Sequence, residues 1–171
     1  MKRLILVRHA KSDWSGPNQA DHERPLNLRG RITSPLMGAW IAEKADEGGW
    51  SIDGVLSSTS VRTRETWDRL SLLLDRPPAP IFESALYLAE PEDMLAAVQS
   101  APETAETLLV LGHNPGIEVF AMRLAHRDSE KPGRFPTAAV SIFENASNLR
   151  WADATFRDFH LTAFETPKTL V

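Results

Sequence analysis

Apolar and polar positions along this chain switch between two periods. Leu4-Ile5-Leu6-Val7, preceded by Lys2-Arg3, is a short unbroken apolar run of the kind a buried strand makes, and it stops at Arg8-His9. Residues 11–27 are polar and carry Gly16-Pro17-Asn18 and Arg24-Pro25, which predicts a loop. From Arg29 to about Glu47 the period changes: Ile32, Leu36, Met37, Trp40 and Ile41 recur at helical spacing until Gly48-Gly49 stops them. Pro35 leaves the start of that helix loosely defined. Residues 52–56 predict a second strand, with Ser58 as the N-cap of a helix over 61–74 that Pro77-Pro78 closes. A short strand over 79–82 follows, then a helix over 91–100 opened by Pro91. Residues 107–111 predict a strand, Gly112-His113-Asn114-Pro115 a turn, and the next helix runs to about Leu124. Strand-like runs over 138–143 and 155–164 complete the chain.

Strands alternating with helices imply an α/β fold, a three-layer sandwich around a mostly parallel sheet. In such folds ligands bind beyond the carboxyl ends of the strands. Arg8-His9 follows the first strand, Ser57-Ser58 through Arg62 the second, and Gly112-His113 the strand at 107–111. Parallel strands point one way, so these distant groups are expected to meet at one edge of the sheet.

Bulk properties narrow the possibilities. The 171 residues suit one domain, 1–171, and 42% apolar content is enough for a core. The sequence has no cysteine, which excludes disulfides and thiolate chemistry and fits a reducing compartment. The early apolar run is too short for a signal or a membrane span. The expectation is a soluble, cytoplasmic protein without a membrane partner. Net charge is −4, and no polybasic stripe suggests nucleic acid. An anion site needs only local convergence of positive charge.

Arg8, His9, Arg62 and His113 supply that convergence. Phosphoryl transfer is catalysed mostly by positioning and charge stabilisation, and a guanidinium engages two oxygens at once. A neutral His9 could attack phosphorus and form a covalent intermediate, and His113, when protonated, would add charge beside the equatorial oxygens. Each piece alone has a bland alternative: a satisfied core histidine, a solvated Arg62 on a first helical turn, a His113 that caps a helix. Their joint occurrence at three strand ends favours the phosphate-binding catalytic site. His22, His126 and His160 lack such partners and read as structural. No metal and no cofactor is called for, because His9 and His113 lack the extra ligands a metal cage needs.

The motifs themselves resemble a known family. Arg8-His9-Ala10 is similar to the Arg-His-Gly signature of the histidine phosphatase superfamily, also called phosphoglycerate mutase-like. The resemblance extends through Lys11-Ser12-Asp13-Trp14, Glu23-Arg24-Pro25-Leu26-Asn27-Leu28-Arg29-Gly30, Ser57 to Thr66, and Gly112-His113-Asn114-Pro115-Gly116. Within the superfamily the chain most resembles the small SixA-type phosphohistidine phosphatases. The resemblance implies a phosphoglycerate mutase-like fold, His9 as nucleophile, and Arg8, Arg62 and His113 as the phosphate pocket.

Three departures bear on substrate. Ala10 replaces the usual glycine, and Ser15 stands where many members carry a phosphate-contacting asparagine. Leu88 occupies the place where members with a general acid put a glutamate, and neither Glu83 nor Glu90 matches it. General acid help to an alkoxide is worth ~10²–10⁴-fold, whereas an imidazole can be protonated before it leaves. The stretch from Leu86 to Leu108 is also too short for a large cap. Both features lean toward a phosphorylated protein, phosphohistidine above all, as the substrate. The alternatives are a phosphatase for small phosphorylated substrates, and a catalytically weak phosphate-binding regulatory module.

Overall fold

The computed structural model describes residues 1–170. Its centre is a six-stranded sheet in the order β3-β2-β4-β1-β5-β6, formed by β1 (Lys2–Arg8), β2 (Gly54–Ser58), β3 (Ile81–Glu83), β4 (Thr107–Gly112), β5 (Val140–Asn145) and β6 (His160–Glu165). The first four strands pair in parallel, and β5 runs antiparallel to both of its neighbours. The sheet is therefore mostly parallel, as the alternation of strands and helices implies.

The period of two in β1 distributes its side chains between two cores. Leu4 and Leu6 join Met94, Val98, Ile117 and Phe120, beneath α3 (Pro91–Gln99) and α4 (Gly116–Leu124). Ile5 and Val7 join Met37, Ile41, Trp67 and Leu70, beneath α1 (Leu28–Gly48) and α2 (Val61–Leu70). Helices on both faces of one sheet make the three layers.

Helix α1 is capped by the Asn27 side chain, which accepts from the Gly30 N–H at 2.9 Å, and it ends on Gly49 at φ 65°. Its buried face takes only part of the apolar stripe read from spacing: Met37, Trp40 and Ile41 are buried, whereas Ile32 and Leu36 are exposed. Gly30, Thr33, Ser34 and Gly38 are buried in their place. The reason is close approach: a Cβ on Gly38 would lie 2.3 Å from the Leu70 carbonyl oxygen at the end of α2. Small residues let the two helices touch backbone to backbone.

Several boundaries move for local reasons. Strand β2 begins at Gly54, since the Asp53 carboxylate accepts from the Glu106 and Thr107 N–H groups just ahead of the ladder. The α-helical part of α2 gives way to a 3₁₀ turn at Ser71–Leu73. Ala138, at φ 64°, delays β5 to Val140. Residues 155–159 do not extend β6: Arg157 has φ 67°, and the Asp158 carboxylate holds the Thr155 N–H in a turn. Among the described residues no helix is long and apolar enough to cross a membrane.

Candidate active site

Strand register builds the site. Arg8 of β1 lies opposite Gly112 of β4, so the next residue on each chain, His9 and His113, emerges beside the other at the same edge. Their ring centroids are 5.2 Å apart. The neighbouring strand, β2, ends at Ser58, whose Oγ lies 2.8 Å from His113 Nε2. Helix α2 then carries Arg62 into the same space. Its N-cap is Ser60, which accepts from the Thr63 N–H, and not Ser58 as the sequence suggested. In a run of three serines and a threonine, spacing alone does not say which hydroxyl caps. Ser58 is left to orient a histidine.

His9 is only 6% exposed. Its Nδ1 lies 2.7 Å from the Ala10 carbonyl oxygen, which can only accept, so Nδ1 carries the proton and Nε2 keeps a free lone pair. Burial pushes the ring's pKa down to about 3; the Ala10 carbonyl opposes this, and the charges of Arg62, Arg8 and Arg24 reinforce it. His113 follows the same logic. Burial, then His9 and Arg62, push it down to about 2, and its Nδ1 lies 3.3 Å from an Arg62 Nη2 that can only donate. This geometry fits the neutral tautomer of His113 that donates from Nε2 to Ser58. Protonation, the condition on which His113 would add charge beside an anion, is disfavoured by these surroundings.

The positive charge comes from arginines. Arg62 is 2% exposed, which excludes a solvated face. Arg8 donates from Nη1 to the Phe135 carbonyl at 2.9 Å. The Nε atoms of Arg8 and Arg62 are buried without a hydrogen-bond partner, two donors of the kind a tetrahedral oxyanion satisfies. Arg64, the alternative arginine, lies over the Phe82 ring and donates to the Thr59 carbonyl, with its guanidinium group 3.7 Å from the ring centroid.

Two further residues line the same cavity and were not singled out from sequence. Arg24 is buried, donates to Ser12 Oγ at 2.6 Å, and lies 3.5 Å from the centroid of the exposed Trp14 ring. Asp21 holds three of the site's groups together. Its Oδ1 accepts from Arg24 at 3.0 Å, its Oδ2 from Arg62 at 3.0 Å and from the Tyr87 hydroxyl, and its carbonyl from Arg62 Nη1 at 2.6 Å. Partial burial works against ionisation of Asp21, but the bonds from Tyr87, Arg24 and Arg62 hold its carboxyl well below the usual range. The one signal in the sequence was an acid three residues before Arg24. Leu88, at φ 51° and 54% exposed, stands with Trp14 at the cavity mouth.

His22 reaches the rim, with Nε2 2.8 Å from Thr59 Oγ1 and its ring against Tyr87. His126 and His160 stack on each other with ring centroids 4.8 Å apart. No three of the described acidic and histidine side chains gather into a metal cage.

A parallel-sheet α/β sandwich with this arginine–histidine cluster at its strand ends defines a phosphate-handling class of protein. Its fold is that of the histidine phosphatase superfamily. It is similar to a SixA-type protein of Nakamurella multipartitia, with 25% identity, 97% of this chain and 96% of the other covered, and a TM-score of 0.80. It is also similar to the protein histidine phosphatase SixA in complex with tungstate, at 20% identity, 99% coverage of both chains and a TM-score of 0.78, a likeness of fold. In sequence it is 31% identical to the uncharacterized protein Rv1276c of Mycobacterium tuberculosis over 95% of this chain and all of that one. No family model matches the chain.

Proposed function

We propose that this protein hydrolyses phosphohistidine on proteins through a covalent phosphoryl intermediate on His9, without a metal. The observation that carries the reading is the His9 tautomer. With Nδ1–H tied to the Ala10 carbonyl, Nε2 keeps the lone pair a nucleophile needs, in a cavity that Arg8 and Arg62, each with an unpartnered Nε donor, also line. Arg8 and Arg62 would hold the equatorial oxygens, while His113, oriented by Ser58, would line the same side of the pocket. The likeness to SixA proteins supports phosphohistidine as the substrate class. A cavity of about 320 Å³ with Trp14 and Leu88 exposed at its mouth suits a group presented from a partner's surface.

The test is chemical trapping. Brief exposure to a reactive phosphoryl donor, quenched without acid, should leave a phosphate on His9 that survives alkali and is lost in acid. His9→Ala should abolish both label and turnover, and chelators should leave turnover unchanged. A label on another residue, or full turnover by folded His9→Ala, overturns the reading.

A further inference from the structure

Asp21 is the one acidic residue among those described that line this cavity; Arg8, Lys11, Arg24 and Arg62 supply the charged groups of opposite sign. A carboxylate in an anion pocket repels the substrate's phosphoryl group, so its presence calls for a compensating contact. It is also not built as an acid. Both its oxygens already accept hydrogen bonds, from Arg24, Arg62 and Tyr87, and none of those partners leaves it a proton to give. The bond to Arg62 is the exchangeable one. Arg62 Nη2 bridges Asp21 and His113, so it already stands between the carboxylate and the histidine pair. A phosphoryl oxygen that drew Arg62 Nη2 away would free a lone pair of Oδ2 at the edge of the pocket, on a carboxylate that is 44% exposed.

We propose that Asp21 selects an N-phosphorylated imidazole over a phosphoester: its carboxylate accepts the N–H of the substrate ring nitrogen that does not carry the phosphoryl group, and so keeps that ring in its imidazolium form. The inference rests on the reading of His9 as nucleophile. It makes the transfer step proton-neutral. The His9 Nε2 lone pair forms the new N–P bond while the old P–N bond breaks, and that electron pair returns to the substrate nitrogen. The substrate leaves as a neutral imidazole whose distal proton never moved. His9 becomes the imidazolium phosphoramidate, its Nδ1–H still on the Ala10 carbonyl. Water then attacks phosphorus, the P–N bond of phospho-His9 breaks toward nitrogen, and phosphate departs with both water protons as the monoanion. A phosphoester has no such N–H, and places an oxygen lone pair against Asp21.

Steady-state turnover of 1-phosphoimidazole and phenyl phosphate, by wild type and Asp21→Asn, tests this. The variant should lose on the order of 10–100-fold in kcat/KM on phosphoimidazole, as expected for a charge-assisted hydrogen bond. It should gain several-fold on phenyl phosphate and bind inorganic phosphate more tightly, since a negative charge has left the pocket. The alkaline limb for phosphoimidazole should move to lower pH in the variant, because the ring loses the group that keeps it protonated. Asp21→Glu should restore the preference. Equal losses on both substrates, with weaker phosphate binding and an unmoved limb, would mean that Asp21 only positions Arg62 and would overturn the inference while leaving His9 its role. Wild-type protein that hydrolyses neither compound overturns the phosphatase reading itself.

Discussion

His9 Nδ1 and the carbonyl oxygen of Ala10, the very next residue, are 2.7 Å apart. The ring is thus oriented by its own chain neighbour and not by another side chain. The backbone is fixed in turn, by the Ala10 N–H bond to Thr66 on α2 and by the Ala138 N–H bond to the His9 carbonyl.

The pH dependence of phosphorylation follows from the burial of His9. With its pKa pushed down to about 3, the free ring stays neutral across pH 5–8. The rate of His9 labelling, corrected for ionisation of the donor, should therefore be flat from pH 8 to 5. A limb between pH 6 and 7 that disappears with His9 would contradict this.

Stability should respond to acid. His9 and His113 have folded pKa values of about 3 and about 2, below the ordinary 6.5 of an unfolded histidine. Between pH 6.5 and about 3 the unfolded chain binds the extra protons, so stability falls as pH falls, by up to ~1.4 kcal/mol per pH unit for each histidine. Chemical denaturation from pH 7 to 4 should show this slope, and His113→Asn should reduce it. Bound phosphate should reduce it as well, by favouring the protonated rings. An unchanged slope in His113→Asn would count against a buried neutral ring.

Arg62→Ala should lower kcat/KM on every substrate by ~10²–10³-fold while the protein stays folded by circular dichroism. Arg62→Lys should recover little, because one ammonium cannot replace a guanidinium that bridges Asp21 and His113. Arg64→Ala, whose guanidinium lies over Phe82, should leave turnover as it was. Reversal of the two results would move the phosphate contact to Arg64.

Ser58→Ala should cost roughly tenfold in kcat/KM, near 1–2 kcal/mol for a buried hydrogen bond left without its partner. The loss should be small beside that of Arg62→Ala, since Ser58 acts through His113. Nuclear magnetic resonance of the imidazole nitrogens should show the Nε2–H tautomer of His113 in wild type. A dominant Nδ1–H form would remove the rationale.

Much of the fold and four of the site residues were legible because they depend on short-range pattern. A continuous apolar run marks β1, alternate helices and strands mark the layers, and a polar cluster after each of three strand ends marks the edge where Arg8, His9, Arg62 and His113 meet. What was not legible depends on contacts between distant segments. Asp21 lies in a loop without periodicity, and its role is written by Arg62, Arg24 and Tyr87, 41, 3 and 66 positions away. Gly30 and Gly38 carry no apolar signal, yet they decide which face of α1 is buried. The positive φ of Ala138 and Arg157, which shortens β5 and β6, has no glycine to announce it.

The pairing of Arg8 with Gly112 constrains how this chain can tolerate added or lost residues. Side chains on a strand change face at every step, so a single-residue insertion within β1 or β4 would turn His9 or His113 away from its partner and carry Leu4 and Ile5, or Leu108 and Leu109, into the wrong core. No downstream segment could compensate, because the two histidines have no covalent link shorter than the whole chain between them. Length variation should instead accumulate in residues 127–134, within the connection from α4 to β5 and ahead of the Phe135 carbonyl that holds Arg8. A library of random insertions selected only for folding should be depleted in the two strands and populated in that connection.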